Sequence, residues 1–508
     1  MIGSLLKNLF LSITRPRICD FLVVVITLAA LINLVSSGRG FVFWPDSIGY
    51  FGPLADWQTG QGFTAWYGRG FVYPLFLTGL IQDSTHYLRV LDAQMLLLAG
   101  TYLFAGWVVW RCGHRLDRLP ASRAIPAMGL LMLGLISFDF NAAQLALMHS
   151  ALPEIMFIAV LALQLVLVWK TLHATEKRMQ YAGLAGVTFI GFMLILIKPH
   201  YLLTALALPP VLALMLRQKL AGKPLVLALL VGCLSATPFH LFDLHQKASY
   251  DRLAAKTFGP RTLFCNNLNV LDLGFERGLE DRLNIRPQIE QILKDGPQGW
   301  DALGFNGDAC MYGELGRTIR NQYKDDPDKE ANYYLSTTAW AALIAPDMVL
   351  NRLMRQFRLA LSSPFFRHRI HISDCHPLEA GLKRSAFFER LQTECLRHKD
   401  DRISYYDFKP LLFNWIYPLL LGLGMCKLVL IGFKRGTKNS STPSPCGNLA
   451  AATLLAIFSF VLFVGLVHSF DVFRYMMMIS PLILVSFCCI TVWLFTTGSR
   501  DSEFVDSD

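Results

Sequence analysis

The residues best suited to chemistry in this chain share one stretch. Positions 38–80 read GRGFVFWPDSIGYFGPLADWQTGQGFTAWYGRGFVYPLFLTGL. Two acids, Asp46 and Asp56, sit among many aromatics, including Trp44, Tyr50, Trp57, Trp66, Tyr67 and Tyr73. Aromatic rings in such numbers settle at a membrane–water boundary, where one side of the ring is apolar and the other wet. A carboxylate held there loses part of its solvation and becomes a stronger base. Asp46 is the candidate reactive group. Pro45-Asp46-Ser47 is also a good helix start, and the two roles are compatible. Asp56 is the second acid of the stretch.

The elements that must position these acids are apolar. Of 508 residues, 53% are hydrophobic and 17% charged. A soluble chain carries about a quarter charged residues. Long apolar runs follow one another, the signature of a polytopic helical membrane protein. The net charge of +10 is therefore not a nucleic-acid footprint. Most basic residues fall in short loops between runs, where they set orientation. The run at 21–35 is long for a signal peptide and reads as an anchor despite the small residues Ser36, Ser37 and Gly38 after it. With Lys7, Arg15 and Arg17 inside, 38–87 becomes the first outer loop. Spans at 87–110, 124–138, 152–169, 181–197, 201–216 and 225–242 then alternate, and 71–81 is apolar but too short to cross.

From 243 to 408 the chain turns polar and loses every spanning run, with helical pieces at 287–294 and 348–360. Runs at 411–433, 449–467 and 475–494 follow. The expected fold is an all-α polytopic membrane protein with about 10 transmembrane helices (10–13). A mostly α-helical extracytoplasmic domain is inserted before the last three spans. The units are a transmembrane module (1–242), the outer domain (243–408), C-terminal transmembrane helices (409–496) and an acidic cytoplasmic tail (497–508). Both termini are expected inside, and a bacterial inner membrane is the expected location; no Asn-x-Ser/Thr acceptor occurs in 243–408.

Four of the 11 cysteines, Cys265, Cys310, Cys375 and Cys395, fall in the outer domain. Their wide spacing argues against zinc and for disulfides, with Cys375 and Cys395 the closest in sequence. His368, Arg369, His371, Asp374 and His376 read as a polar loop rather than a metal site. No metal site is expected; a divalent ion at the loop acids is the alternative. No Walker loop or dinucleotide fingerprint appears, so neither ATP nor NAD is expected as cofactor.

Pro45-Asp46-Ser47-Ile48-Gly49-Tyr50, then Tyr67-Gly68-Arg69-Gly70 and Tyr73-Pro74-Leu75-Phe76-Leu77, resemble the GT-C superfamily of membrane glycosyltransferases, of the protein O-mannosyltransferase and aminoarabinose-transferase type. Those proteins place an acid and a following Tyr in the first outer loop, then an Arg and a Tyr-Pro leader. Ser150-Ala151-Leu152-Pro153-Glu154 looks like the family's Ser-Glu step before a span. Arg474-Tyr475 looks like its Arg-Tyr leader to the last span. Many relatives carry Asp-Glu where this chain has Asp46-Ser47. The outer domain matches nothing in the resemblance.

The resemblance implies inverting transfer of a sugar from a polyprenyl-phosphate donor to a lipid, glycan or protein hydroxyl. Such a hydroxyl needs a base, for which Asp46 is the candidate, with Glu154 as a second catalytic acid. The leaving phosphate needs fixed cations, for which Arg69, Lys198, His200 and Arg474 are candidates. Tyr50, Asp56, Tyr67 and Tyr475 are candidates for the substrate cleft, and Asp139 and His149 are also placed near it. The partners implied are the lipid-linked donor, the acceptor and membrane lipids, with no nucleic acid. A lipid or glycan transporter, or a non-catalytic envelope scaffold, is the alternative. A transporter should show internal repeats and paired broken helices near mid-membrane, whereas this sequence shows no duplication and its polar residues cluster at the outer face.

Overall fold

The computed structural model describes residues 16–38, 45–58, 60, 70–81, 88–116, 119–216, 254–297, 303–323, 326–362, 389, 393, 411–435, 445–467 and 472–496. All described elements are helical. The chain opens with α1 (Pro16–Ser36). A 3-10 turn (Pro45–Ser47) runs into α2 (Ile48–Gln58), and α3 (Val72–Leu80) follows. Next come α4 (Leu88–His114), α5 (Ala121–Asp139), α6 (Ala142–Met148), α7 (Glu154–His173) and α8 (Lys177–Ile197). A second 3-10 turn (Pro199–Tyr201) leads into α9 (Leu202–Met215).

A second group comprises α10 (Ala254–Cys265), α11 (Leu268–Glu276), α12 (Arg286–Asp295), α13 (Gly307–Met311), α14 (Glu314–Gln322), α15 (Pro327–Ile344) and α16 (Pro346–Ser362). The chain closes with α17 (Leu411–Arg435), α18 (Pro445–Val467), α19 (Val472–Met478) and α20 (Ser480–Phe495).

Six segments among the described residues are long and apolar enough to cross a membrane: α1, α4, α5 with α6, α7, α8 and α18. Two shorter apolar helices, α9 with its 3-10 lead and α20, accompany them. The protein is therefore membrane-embedded. α1 shows why such helices sit at the rim: Phe21, Val24, Leu28, Ile32 and Val35 are exposed, while Val23, Ala30 and Leu34 are buried. In contrast, α20 is buried on every side from Ser480 to Trp493. A helix apolar all round belongs at the centre of a bundle. It packs against α4, α5, α7, α17 and α18. Between helices in lipid, the stabilising term is close packing rather than exclusion of water.

The second group has a core of its own, with Phe264, Leu268, Leu271, Ile289, Ile319, Tyr334 and Ala341 buried. A disulfide joins Cys265 at the end of α10 to Cys310 in α13. Arg261 and Glu330 form a buried ion pair at 2.9 Å. α16 links this core to the membrane bundle and packs against α11, α17, α18 and α19. Its Arg352 donates to the Asn267 side chain on one side and to the Gly465 carbonyl at 2.8 Å on the other.

The helices expected at 287–294 and 348–360 are α12 and α16, and the short apolar piece at 71–81 is α3. The run at 201–216 gives only 14 residues of helix, interrupted in sequence by Pro209 and Pro210. The run at 225–242 lies outside the described residues, as do Cys375, Cys395 and the loop from His368 to His376.

Candidate active site

Four charged side chains from distant parts of the chain meet at one end of the bundle. Glu154 is at their centre and fully buried. Its Oε1 lies 2.8 Å from Arg474 Nε, 2.6 Å from Arg474 Nη2 and 3.0 Å from Lys198 Nζ. The remaining arm of Arg474, Nη1, donates to Asp46 Oδ2 at 3.0 Å. Two acids therefore neutralise two cations. Exposure is graded along the chain of contacts: Glu154 and Lys198 are at 0% and 3%, Arg474 at 20% and Asp46 at 37%. Asp46 is thus the member a ligand reaches first. Glu154 Oε2 accepts no hydrogen bond from the described residues.

Local sequence explains how each side chain arrives. Pro153 precedes α7, so Glu154 is its first residue, where a carboxylate complements the helix dipole. Lys198 precedes Pro199, and a residue before proline is driven out of the helical region. Its backbone is extended (φ −144°, ψ 111°), which ends α8 and turns the Lys198 side chain inward. Asp46 lies in the 3-10 turn that opens α2, and α2 is anchored by buried Tyr50, Phe51 and Leu54. Arg474 is on α19, which breaks from α20 at Ile479 ahead of Ser480-Pro481.

Aromatic rings wall the cluster. Lys198 Nζ lies 5.7 Å from the centroid of the Tyr50 ring, a cation–π contact. Tyr50 packs edge-on to Tyr73 at 5.5 Å. His200 stacks on Tyr475 at 4.5 Å. Of the cleft residues expected from sequence, Tyr50 and Tyr475 therefore border the cluster. Asp56 is half-buried further along α2, and Tyr67 and Arg69 lie outside the described residues. Gly70, next to Arg69, packs so tightly that a Cβ there would collide with the Leu196 and Ile197 carbonyl oxygens. The chain leaving Arg69 thus passes beside the end of α8, one residue from Lys198.

Gln94 belongs to the site and was not expected. It accepts from the Tyr73 hydroxyl at 3.2 Å and donates to the Met148 and Ser150 carbonyls at 2.6 and 2.9 Å. It thereby fixes α3 and the turn before Glu154 to α4. The available signal was a lone amide within an apolar run, where every polar group needs a partner. Asp139 and His149, placed near the cleft from sequence, are both fully buried. His149 Nε2 lies 3.0 Å from Ser37 Oγ, tying the α6 end to the α1 end.

Burial, and then the negative charge of Asp46, push the Asp308 carboxyl on α13 above the usual carboxylate range. Among the described residues no group of three or more His, Cys, Asp or Glu is placed to hold a metal ion. The cluster can bind an anion through two cations while offering a carboxylate at its open end. The chain matches no protein-family model, no curated protein and no solved structure.

Proposed function

We propose that this protein is a membrane glycosyltransferase that moves a sugar from a polyprenyl-phosphate donor to a hydroxyl of a lipid, glycan or protein, with inversion. The observation that carries this reading is the convergence of Asp46, Glu154, Lys198 and Arg474. A transfer of this kind needs a base and a fixed cationic seat for the leaving phosphate, in a site sheltered by aromatics. The bundle supplies apolar surface for the prenyl chain.

In this reading the donor phosphate sits against Arg474 and Lys198, with Arg69 and His200 from the rim. As phosphate engages Arg474, Nη1 leaves Asp46, and the carboxylate is released to act. Asp46 takes the proton of the acceptor hydroxyl while the hydroxyl oxygen attacks the anomeric carbon. The bond from that carbon to the phosphate oxygen breaks, and its electron pair stays on the phosphate, where the two cations stabilise it. Glu154, too deep to reach the acceptor first, holds both cations in place. Tyr50 and Tyr475 border the sugar. In this topology about 10 helices span the membrane, both termini are cytoplasmic, 243–408 forms an extracytoplasmic domain, and a bacterial inner membrane is the location.

The test is Asp46→Asn, which keeps size and removes the base. Surface glycan should fall by the share general-base catalysis supplies, about 10²–10⁴-fold in rate, with the protein's membrane level unchanged. Undiminished glycan at a normal protein level defeats the assignment.

A further inference from the structure

Asp139 is a carboxylate that the proposed transfer leaves unused. It ends α5 inside the apolar segment Ala121–Met148, and it is fully buried. Neither of its oxygens has a hydrogen-bond partner among the described residues. Three further buried polar atoms have no partner among the described residues: Tyr102 Oη on α4, Asn141 Nδ2 in the turn after Asp139 and Gln144 Oε1 in α6, which follows. The Tyr102 ring packs edge-on to the ring of Phe138, the residue before Asp139, at 6.4 Å. The other end of the Gln144 amide donates to Ser480 Oγ at 2.9 Å, so its Oε1 cannot turn away without losing that bond.

An ionisable group at this depth is strongly disfavoured unless something neutralises it, and such groups mark bound ions or functional sites. No described Lys, Arg or His pairs with Asp139. We propose that Asp139, with Tyr102 Oη and Gln144 Oε1, binds one monovalent alkali cation.

The chemistry selects this class. The donors are all hard oxygens, which suit alkali and alkaline-earth ions rather than soft metals. One carboxylate balances one positive charge, whereas a divalent ion would leave a net charge in a low-dielectric interior. A proton would serve a single carboxyl oxygen and leave the other oxygens unpaired. An alkali ion takes several oxygen ligands at once, and the Asn141 amide can hold a water of its shell. The bound ion would brace the α5–α6 turn. That turn leads through α6 to the Met148 and Ser150 carbonyls held by Gln94, and so to Glu154.

The test uses the purified full chain in detergent, unfolded thermally in sodium, potassium or choline chloride at one pH and ionic strength. Sodium or potassium should raise Tm saturably over choline, on the order of 5 °C. The better of the two names the ion. Asp139→Asn should abolish the difference between salts. If that variant does not fold, Gln144→Leu should raise the cation concentration at half-effect about tenfold, the value of one lost ligand. Identical Tm in all three salts overturns the proposal, as does a cation effect that survives Asp139→Asn. So does an infrared carboxylic-acid band that persists at saturating cation and is absent from Asp139→Asn. None of these outcomes bears on sugar transfer, which rests on a separate cluster.

Discussion

At Glu154 the charge balance and the burial pull in opposite directions. The carboxylate is fully buried yet bonded to two cations, and those cations have no other anion so deep. Removing one partner of a buried pair costs about 3–5 kcal/mol, because the remaining charge is stranded. Glu154→Gln should therefore lower thermal stability by several degrees, and adding Lys198→Met should recover part of it. Asp46→Asn sits at the exposed end, where an ion pair contributes about 0–1 kcal/mol, and should leave Tm nearly unchanged. Equal stability of Glu154→Gln and the parent protein would remove Glu154 as the anchor. All four charged residues were legible in the sequence, since ionisable groups beside apolar runs stand out. Their mutual pairing was not, because it joins residues 320 and 428 positions apart. Only tertiary packing sets such pairs. The burial of Asp139 was illegible for the same reason.

At the scale of elements, the site is made by helix ends. α2, α7, α8 and α19 each deliver one charged residue from a first or last turn or from the turn beside it. Prolines do much of the terminating, and proline is readable in sequence, so the start at Pro45, the α7 start and the α8 stop were all accessible. The close approach of Gly70 to α8 was not, because nothing local marks which backbone will lie against it. Gly70→Ala should force α3 and the end of α8 apart. Overpacking of this kind costs about 1–3 kcal/mol, and transfer should fall with it because Lys198 follows directly. Gly79, on α3 with open space around its Cα, is the matched control. Gly79→Ala should be neutral or slightly stabilising in thermal unfolding, as expected for helix propensity alone. If Gly70→Ala behaves like Gly79→Ala, the tight contact has no structural weight.

At the scale of the molecule, two cores meet through α16. Composition alone separated the polar stretch from the apolar runs. It left the cysteine pairing open: Cys375 and Cys395, the closest in sequence, lie outside the described residues, while Cys265 pairs with Cys310 across 45 positions. A crosslink over that separation contributes about 4 kcal/mol through the unfolded chain. Cys265→Ser with Cys310→Ser should therefore make the 254–362 segment protease-sensitive at a lower temperature than the membrane bundle. A single shared melting step, unmoved by the double substitution, would contradict it.

The wholly buried α20 has a consequence for biogenesis. It is apolar on every side and covered by neighbours, so close packing rather than exclusion from water sets its place among the other helices. It is also the last described helix to leave the ribosome, immediately after α19 with Arg474. Until that late step, a nascent protein holds Asp46, Glu154 and Lys198 without the arginine that joins them. The unfinished site carries an excess negative charge and cannot hold an anionic ligand. Under the proposed function, transfer therefore requires α19 to be in place.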